Sequence, residues 1–428
     1  MNGTACAGYS ALRDRACRTP GEALRAGGAA EVDAALRALR ADTLALVRSF
    51  REALGPALAV PRRDGLNPPL WELGHIAWFQ QRWIMRNPQR GRGMRCDPEA
   101  PRAPSQLPEA DAWYDSSTQP HALRWALPLP GLDATLDWLS ATLEETRSLL
   151  AQAADRAGSA PTDDALYFFR LVALHEAMHV EAWRYMARAL GIDAPIAQRS
   201  SQPLSAPPQT VRPATLRPGA PPQQQRHSPA APEALHVPPC TWTSGWVADR
   251  GFAFDNEVPP RSVQLGDFEI DAQPVSWSRF QAFVQAGGYD TPECWTRQGW
   301  EWRRSMRPPQ PRFPSSELPA VHLSAHEGEA WCRWAGRRLP TEFEWECAAH
   351  THPAFAWGAV WEWTASPFAP HPGFEAHPYR DYSAPWFGTH RVLRGASSAT
   401  PDCLVHPRFR NFFLPGRTDI LAGFRSCA

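Results

Sequence analysis

No apolar run in this 428-residue chain approaches the roughly 18 to 20 residues needed to cross a bilayer, so no transmembrane helix is expected. The N-terminal stretch MNGTACAGYSALRDRACRTP has early Arg and Asp and no apolar core. It does not read as a secretory signal, and a cytoplasmic protein is the expectation. Net charge is missing as well: 44 basic and 44 acidic residues balance, which removes any reason to expect a nucleic-acid or anionic-membrane partner. The nine cysteines (6, 17, 96, 240, 294, 332, 347, 403 and 427) are odd in number, scattered and never spaced C-x-x-C. This pattern excludes a disulfide scaffold and a thiolate zinc site, and fits reduced thiols. Histidine, perhaps with a carboxylate, must then supply any metal site. There is no internal repeat.

The length exceeds what one hydrophobic core usually organises, so two domains are expected. From Val32 to Leu54 the positions Leu36, Leu39, Thr43, Leu46 or Val47 and Phe50 recur at threes and fours, predicting an amphipathic helix that Gly55-Pro56 stops. A second helix, with Asn67 as N-cap and Pro68 in its first turn, is predicted to run to Met85 before Asn87-Pro88, and contains His75. A third carries Leu132, Leu136, Leu139, Leu143 and Leu150, and a fourth runs from Pro161-Thr162-Asp163 to Gly191. Four amphipathic helices make a bundle over residues 30–191. The 88–130 connection is long enough to read as a functional loop. Residues 192–238, dense in Pro, Gln, Ser and Ala, read as an extended linker in which His227 and His236 are solvated. From residue 239 onward the chain holds short runs, many turns and 13 of its 20 tryptophans. Helical periods are visible there only over Ser276–Ala286 and Ala325–Ala335. A loop-rich α+β domain filled by aromatics is expected.

The stretch LHEAMHVEAWRYM places His175 and His179 one helical turn apart on one face, close enough to chelate one ion. Such a pair is equally compatible with two solvated or hydrogen-bonded histidines. A third ligand has to come from a facing helix, and NPPLWELGHIAWFQQRW offers His75. Three imidazoles leave about three octahedral positions open, which suits non-haem iron(II), while three imidazoles and a water would equally describe catalytic zinc. Glu181 falls roughly 200° around the helix from His179 and is expected to pack rather than ligate; Met178 shares the face of His175 and would line the cavity or fill a core gap.

Together, NPPLWELGHIAWF and LHEAMHVEA resemble the metal-binding pattern of the ergothioneine-type sulfoxide synthases, whose DinB-like bundle supplies one histidine from an early helix and two from an H-x3-H-x-E helix. GFAFDNEVPPRSVQL, QAFVQAGGYD, GWEW, PAVHLSAHEGEAWCRWAGRRLPTEFEWECAA, VWEWTASPFAPHPGF, VLRGAS, PRFRNFFLPGR and AGFR are similar, in that order, to the formylglycine-generating-enzyme fold, a C-type-lectin-like topology that forms the second domain of that family. The resemblance implies an α plus α+β protein with His75, His175 and His179 as ligands of Fe(II). It also implies O2 as co-substrate and a carbon–chalcogen bond formed at C2 of the hercynine imidazole. Only Cys403 stands where formylglycine-generating enzymes carry paired cysteines, so that chemistry is not expected and the second domain is read as a lid.

By the same resemblance Asn411 and Phe412 contact hercynine, whose trimethylammonium calls for aromatic faces, with Phe413 beside them. Arg417 would bind a carboxylate or other polar part of the chalcogen donor. Tyr379 and Tyr382, in HPYRDYS, are the candidates for a proton donor. Two departures stand out: Met178 occupies a position where the sulfur enzymes commonly have Gln, and Phe413 one where users of γ-glutamylcysteine have Asp. With the shortened stretch between Trp302 and Pro319, they favour the selenoneine-synthase branch of the family, which takes selenium from a selenosugar, over a donor such as cysteine or γ-glutamylcysteine. The rival readings are a DinB-type thiol transferase using zinc or nickel and a non-catalytic small-ligand-binding protein. Composition and spacing give no oligomeric state.

Overall fold

The computed structural model describes residues 19–156, 161–195, 234–246, 251–306 and 316–428. Most of the expected linker, with His227, and most of the shortened stretch before Pro319 lie outside them. The bundle helices are α2 (Ala29–Leu54), α3 (Pro69–Gln80), α5 (Leu132–Arg156) and α6 (Asp163–Leu190), preceded by a short α1 (Pro20–Ala26) and interrupted by α4 (Ala110–Tyr114) in the long loop. Thr19 and Thr162 cap α1 and α6 by accepting from backbone N–H groups, and Gly191, in the left-handed region at φ 69°, ends α6. The second helix starts later than its sequence suggests. Pro68 is its N-cap and Pro69 its first residue, because the Asn67 side chain is held by Glu72 and Arg124 instead. Past Gln80 the helix widens into a π turn over Gln81–Met85, the kind of irregularity often found beside functional sites.

The second half contains β1 (Ala234–Val237), β2 (Cys240–Ser244), β3 (Arg261–Leu265), β4 (Phe268–Asp271), α7 (Trp277–Gln285), α8 (Arg297–Ser305), α9 (Ala325–Trp334), α10 (Glu342–Thr351), β5 (Trp361–Pro367), β6 (Arg391–Gly395), β7 (Asn411–Phe413) and β8 (Ala422–Phe424). β1 pairs with β4 and β2 with β3, while a four-stranded sheet runs in the order β7-β6-β5-β8 with β5 and β8 parallel. Thus β1 begins inside the segment read as linker, where Leu235 and Val237 are buried and pair with Ile270 and Phe268. Helices α8 and α10 were not expected; each is only nine or ten residues long, and each starts at a side-chain cap, Thr296 for α8 and the Thr341–Glu344 capping box for α10.

Buried polar contacts fasten the two halves. Arg25 of α1, ahead of the expected bundle boundary, makes a two-pronged pair with Glu257 at 2.7 and 2.8 Å, both side chains fully buried. Glu181 of α6 accepts from Trp361 Nε1 (2.8 Å), Ser397 Oγ (3.1 Å) and Thr400 Oγ1. Its neighbour Arg184 donates to the Ala399 carbonyl at 2.8 Å. Glu181 therefore packs between the halves, on the side of α6 away from the histidine face.

Candidate metal centre

α3 and α6 cross so that His75, a full turn into α3, meets His175 and His179 of α6. His75 Nε2 lies 3.1 Å from His175 Nε2, which lies 3.2 Å from His179 Nε2. Among the described residues these three are the only cluster of metal-ligating side chains of that kind. Their outer nitrogens fix the tautomers. His75 Nδ1 donates to the Tyr114 carbonyl at 2.6 Å, and a carbonyl can only accept. His179 Nδ1 donates to the Glu72 carboxylate. In the neutral rings, the Nε2 atoms of His75 and His179 therefore carry lone pairs, both turned towards His175 Nε2. Converging lone pairs repel unless a cation or proton lies between them, so the donor set fits a metal.

Burial holds the His75 imidazole down at about 3 and that of His175 well below the ordinary range, with the neighbouring imidazoles adding to both. Both rings are thus held neutral, the form in which an imidazole can ligate a metal. Burial alone would raise the Glu72 carboxyl, but His179 beside it leaves it below the usual carboxylate range, so it stays an anion.

The surroundings lock each ring. Trp71 stacks on His75 at 4.8 Å between centroids, and the Arg124 guanidinium lies 3.7 Å over Trp71. Arg124 also donates to Asn67 Oδ1 (2.9 Å), while Asn67 Nδ2 donates to Glu72 Oε1 (2.5 Å), which closes a circuit from one ring to the other. His175 stacks on Phe79 at 3.6 Å, and the following residue, Glu176, points away to Arg40 and Thr43 of α2. Gly74 makes room for the Tyr114 ring, since a Cβ there would lie 2.2 Å from it. The 88–130 loop, through Tyr114, thus orients His75.

Tyr379 comes from the second half and stands edge-on to Phe79 (4.9 Å), with its ring centroid 6.3 Å from that of His175. Tyr382 follows at 5.9 Å and Phe412 a further 5.8 Å on. Burial raises both phenols, so each keeps its proton. Tyr382 itself stacks on Phe254 at 4.3 Å. Met178 is half-buried on α6. Asn411 Oδ1 accepts from the Phe412 N–H, and Phe412 stacks on Phe368 at 4.0 Å. Arg417 lies 5.1 Å over Phe413 and makes a two-pronged pair with Asp419 at 2.5 and 2.6 Å, so its charge is already met. The structure gathers the histidines and Tyr379 closely, reaches Tyr382 and Phe412 through successive rings, and leaves Arg417 engaged with Phe413 and Asp419. Cys403 is half-buried, and desolvation pushes its thiol up to about 12, which disfavours the thiolate.

Glu72, Asn67, Arg124 and Tyr114 were not expected at the centre. For Glu72 the signal was present: it precedes His75 by three residues on the same helix.

Residues 35–182 match the DinB superfamily and residues 219–359 the sulfatase-modifying factor enzyme 1-like domain. Hercynine oxygenase of Mycolicibacterium smegmatis is 31% identical over 84% of this chain and 90% of its own length. This chain belongs to the hercynine oxygenase family. The Mycobacterium tuberculosis member is 29% identical over 84% of this chain and 90% of its own. The formylglycine-generating enzyme of Streptomyces coelicolor is 31% identical over 29% of this chain and 50% of its own. The fold is thus a helical DinB domain followed by a formylglycine-generating-enzyme-type domain, in an oxidoreductase-type enzyme. No helix among the described residues is long and apolar enough to cross a membrane.

Proposed function

We propose that this member of the hercynine oxygenase family is a non-haem iron(II), O2-dependent enzyme that forms a C–Se bond at C2 of the hercynine imidazole, with a selenosugar as donor. The observation carrying this reading is the convergence of three Nε2 atoms, 3.1 and 3.2 Å apart, with no carboxylate among them. Three neutral imidazoles leave open positions for small molecules, and iron(II) held there would supply a common centre for imidazole, chalcogen and O2. The protein's own part is positioning. The Phe412 face suits a trimethylammonium, which offers no hydrogen bond. Tyr379, half-buried and protonated, holds a proton within one ring of His175.

The choice of donor draws on Arg417. Paired with Asp419 and covered by Phe413, it offers no unmet cation to the carboxylates of a γ-glutamyl dipeptide, whereas an uncharged sugar needs none. Sulfoxide formation from cysteine or γ-glutamylcysteine is the second reading, supported by membership of the hercynine oxygenase family.

The test is anaerobic protein loaded with iron(II) and hercynine, given in turn a selenosugar, cysteine and γ-glutamylcysteine, with products identified by mass spectrometry after air is admitted. The selenium adduct should dominate. A dominant sulfur adduct would overturn the donor assignment. Thiol transfer without O2 on zinc or nickel, or iron binding that survives combined His175→Ala and His179→Ala substitution, would overturn the reading itself.

A further inference from the structure

Cys240 opens β2 and Cys347 lies in the middle of α10, 107 positions on, yet their Sγ atoms are 3.8 Å apart. Alternate residues of the strand face the same stretch of the helix. Trp242 faces His350 at 5.4 Å between ring centroids, and Ser244 Oγ donates to Glu346 Oε2 at 2.7 Å. A disulfide needs its sulfurs about 2.05 Å apart, so each would move by less than about 1 Å. Exposure differs between the two: Cys240 is partly accessible and Cys347 fully buried.

The geometry points to Cys240 and Cys347 as a site of reversible thiol oxidation, closed to a disulfide by a low-molecular-weight disulfide. The accessible Cys240 thiolate attacks one sulfur of the reagent and displaces a first thiolate, leaving a mixed disulfide. The Cys347 thiolate, adjacent and shielded, then attacks the Cys240 sulfur and displaces a second. The two protein thiols lose two electrons, the reagent gains them, and the two protons pass to the departing thiolates. The bond joins β2 to the helix that also carries Glu346, the acceptor of Arg394. Closing so long a loop also restricts the unfolded chain, which is where a cross-link contributes most to stability. This inference is independent of the donor and metal assigned above.

The test is to incubate the reduced full-length protein with oxidised glutathione and map peptides without reduction. The expected result is one peptide pair linking Cys240 to Cys347, lighter by two hydrogens and reopened by dithiothreitol, with Tm raised by about 5 °C or more. Cys240→Ser, at a half-buried strand end, should keep its far-UV circular dichroism and lose both the link and the Tm rise; Cys347→Ser should lose the link as well. Glutathione remaining on Cys240 while Cys347 stays alkylatable after denaturation would overturn the proposal. So would a link that joins other cysteines.

Discussion

Replacing Glu72 by Gln removes one charge at the centre of the bundle while keeping the side chain's shape. In the native protein one oxygen of Glu72 accepts from His179 Nδ1 and the other from Asn67 Nδ2 at 2.5 Å. A glutamine still offers one acceptor, but its amide then confronts the Asn67 amide, a donor facing a donor. Asn67 cannot turn without giving up Arg124, which donates to its oxygen at 2.9 Å. Either His179 loses its partner or it keeps a neutral one in place of a charge-assisted bond, and its imidazole becomes a weaker, looser donor. Outer-shell partners of this kind are worth about 10- to 100-fold in metal affinity, or roughly 1.4 to 2.7 kcal/mol. Competition between the protein and a chelator of known affinity for iron(II) or zinc measures this directly. Glu181→Gln is the control, because that carboxylate lies two residues from His179 but serves Trp361, Ser397 and Thr400. Equal metal affinity in Glu72→Gln and the wild type, or equal losses in both variants, would refute the reasoning.

Two further outcomes follow from buried charge. Arg25→Met leaves Glu257 without its counterion where both side chains are fully buried. It should cost about 3 to 5 kcal/mol in denaturant unfolding, partly restored by adding Glu257→Gln; a loss under about 1 kcal/mol would mean that the contact between the halves is weak. Asp255, raised by burial from 3.8 to about 6 with one oxygen unpartnered, is neutral in the fold at low pH and must ionise at a cost above pH 6, whereas the unfolded chain ionises freely. It therefore withdraws stability as pH rises from 4 to 7, by roughly 3 kcal/mol. Asp255→Asn should gain on the wild type across that interval, and a stability difference independent of pH would contradict this.

α2 and α5 were readable because each buries one face, and a buried face leaves a period of three to four, while α3, buried almost all round, was marked by the Asn67-Pro68 and Asn87-Pro88 signals at its ends. The histidine pair was readable for the same reason, since i and i+4 share a face whatever lies opposite. What faces them was not: His75 stands 100 positions from His175, and only the crossing of two helices sets that distance. Glu72 was overlooked because a lone glutamate in an apolar helix has no periodic signature, although its place one turn before His75 was visible. α1 went unnoticed because seven residues are too few for a period, and α8 and α10 because nine or ten residues span fewer than three turns. The engagement of Arg417 by Asp419, and the approach of Cys240 to Cys347, depend on side-chain directions that no spacing encodes.

Helix α6 presents two imidazoles on one side and, two residues further on, the carboxylate that receives the second half of the chain. The angle at which the upper half sits and the location of the chelating nitrogens are therefore read from one rigid rod, with an offset of only about 3 Å along its axis. A transplanted cap would have to satisfy that carboxylate before it could bring any tyrosine to the cavity. Producing either half alone should thus yield a half-built chamber with one wall missing.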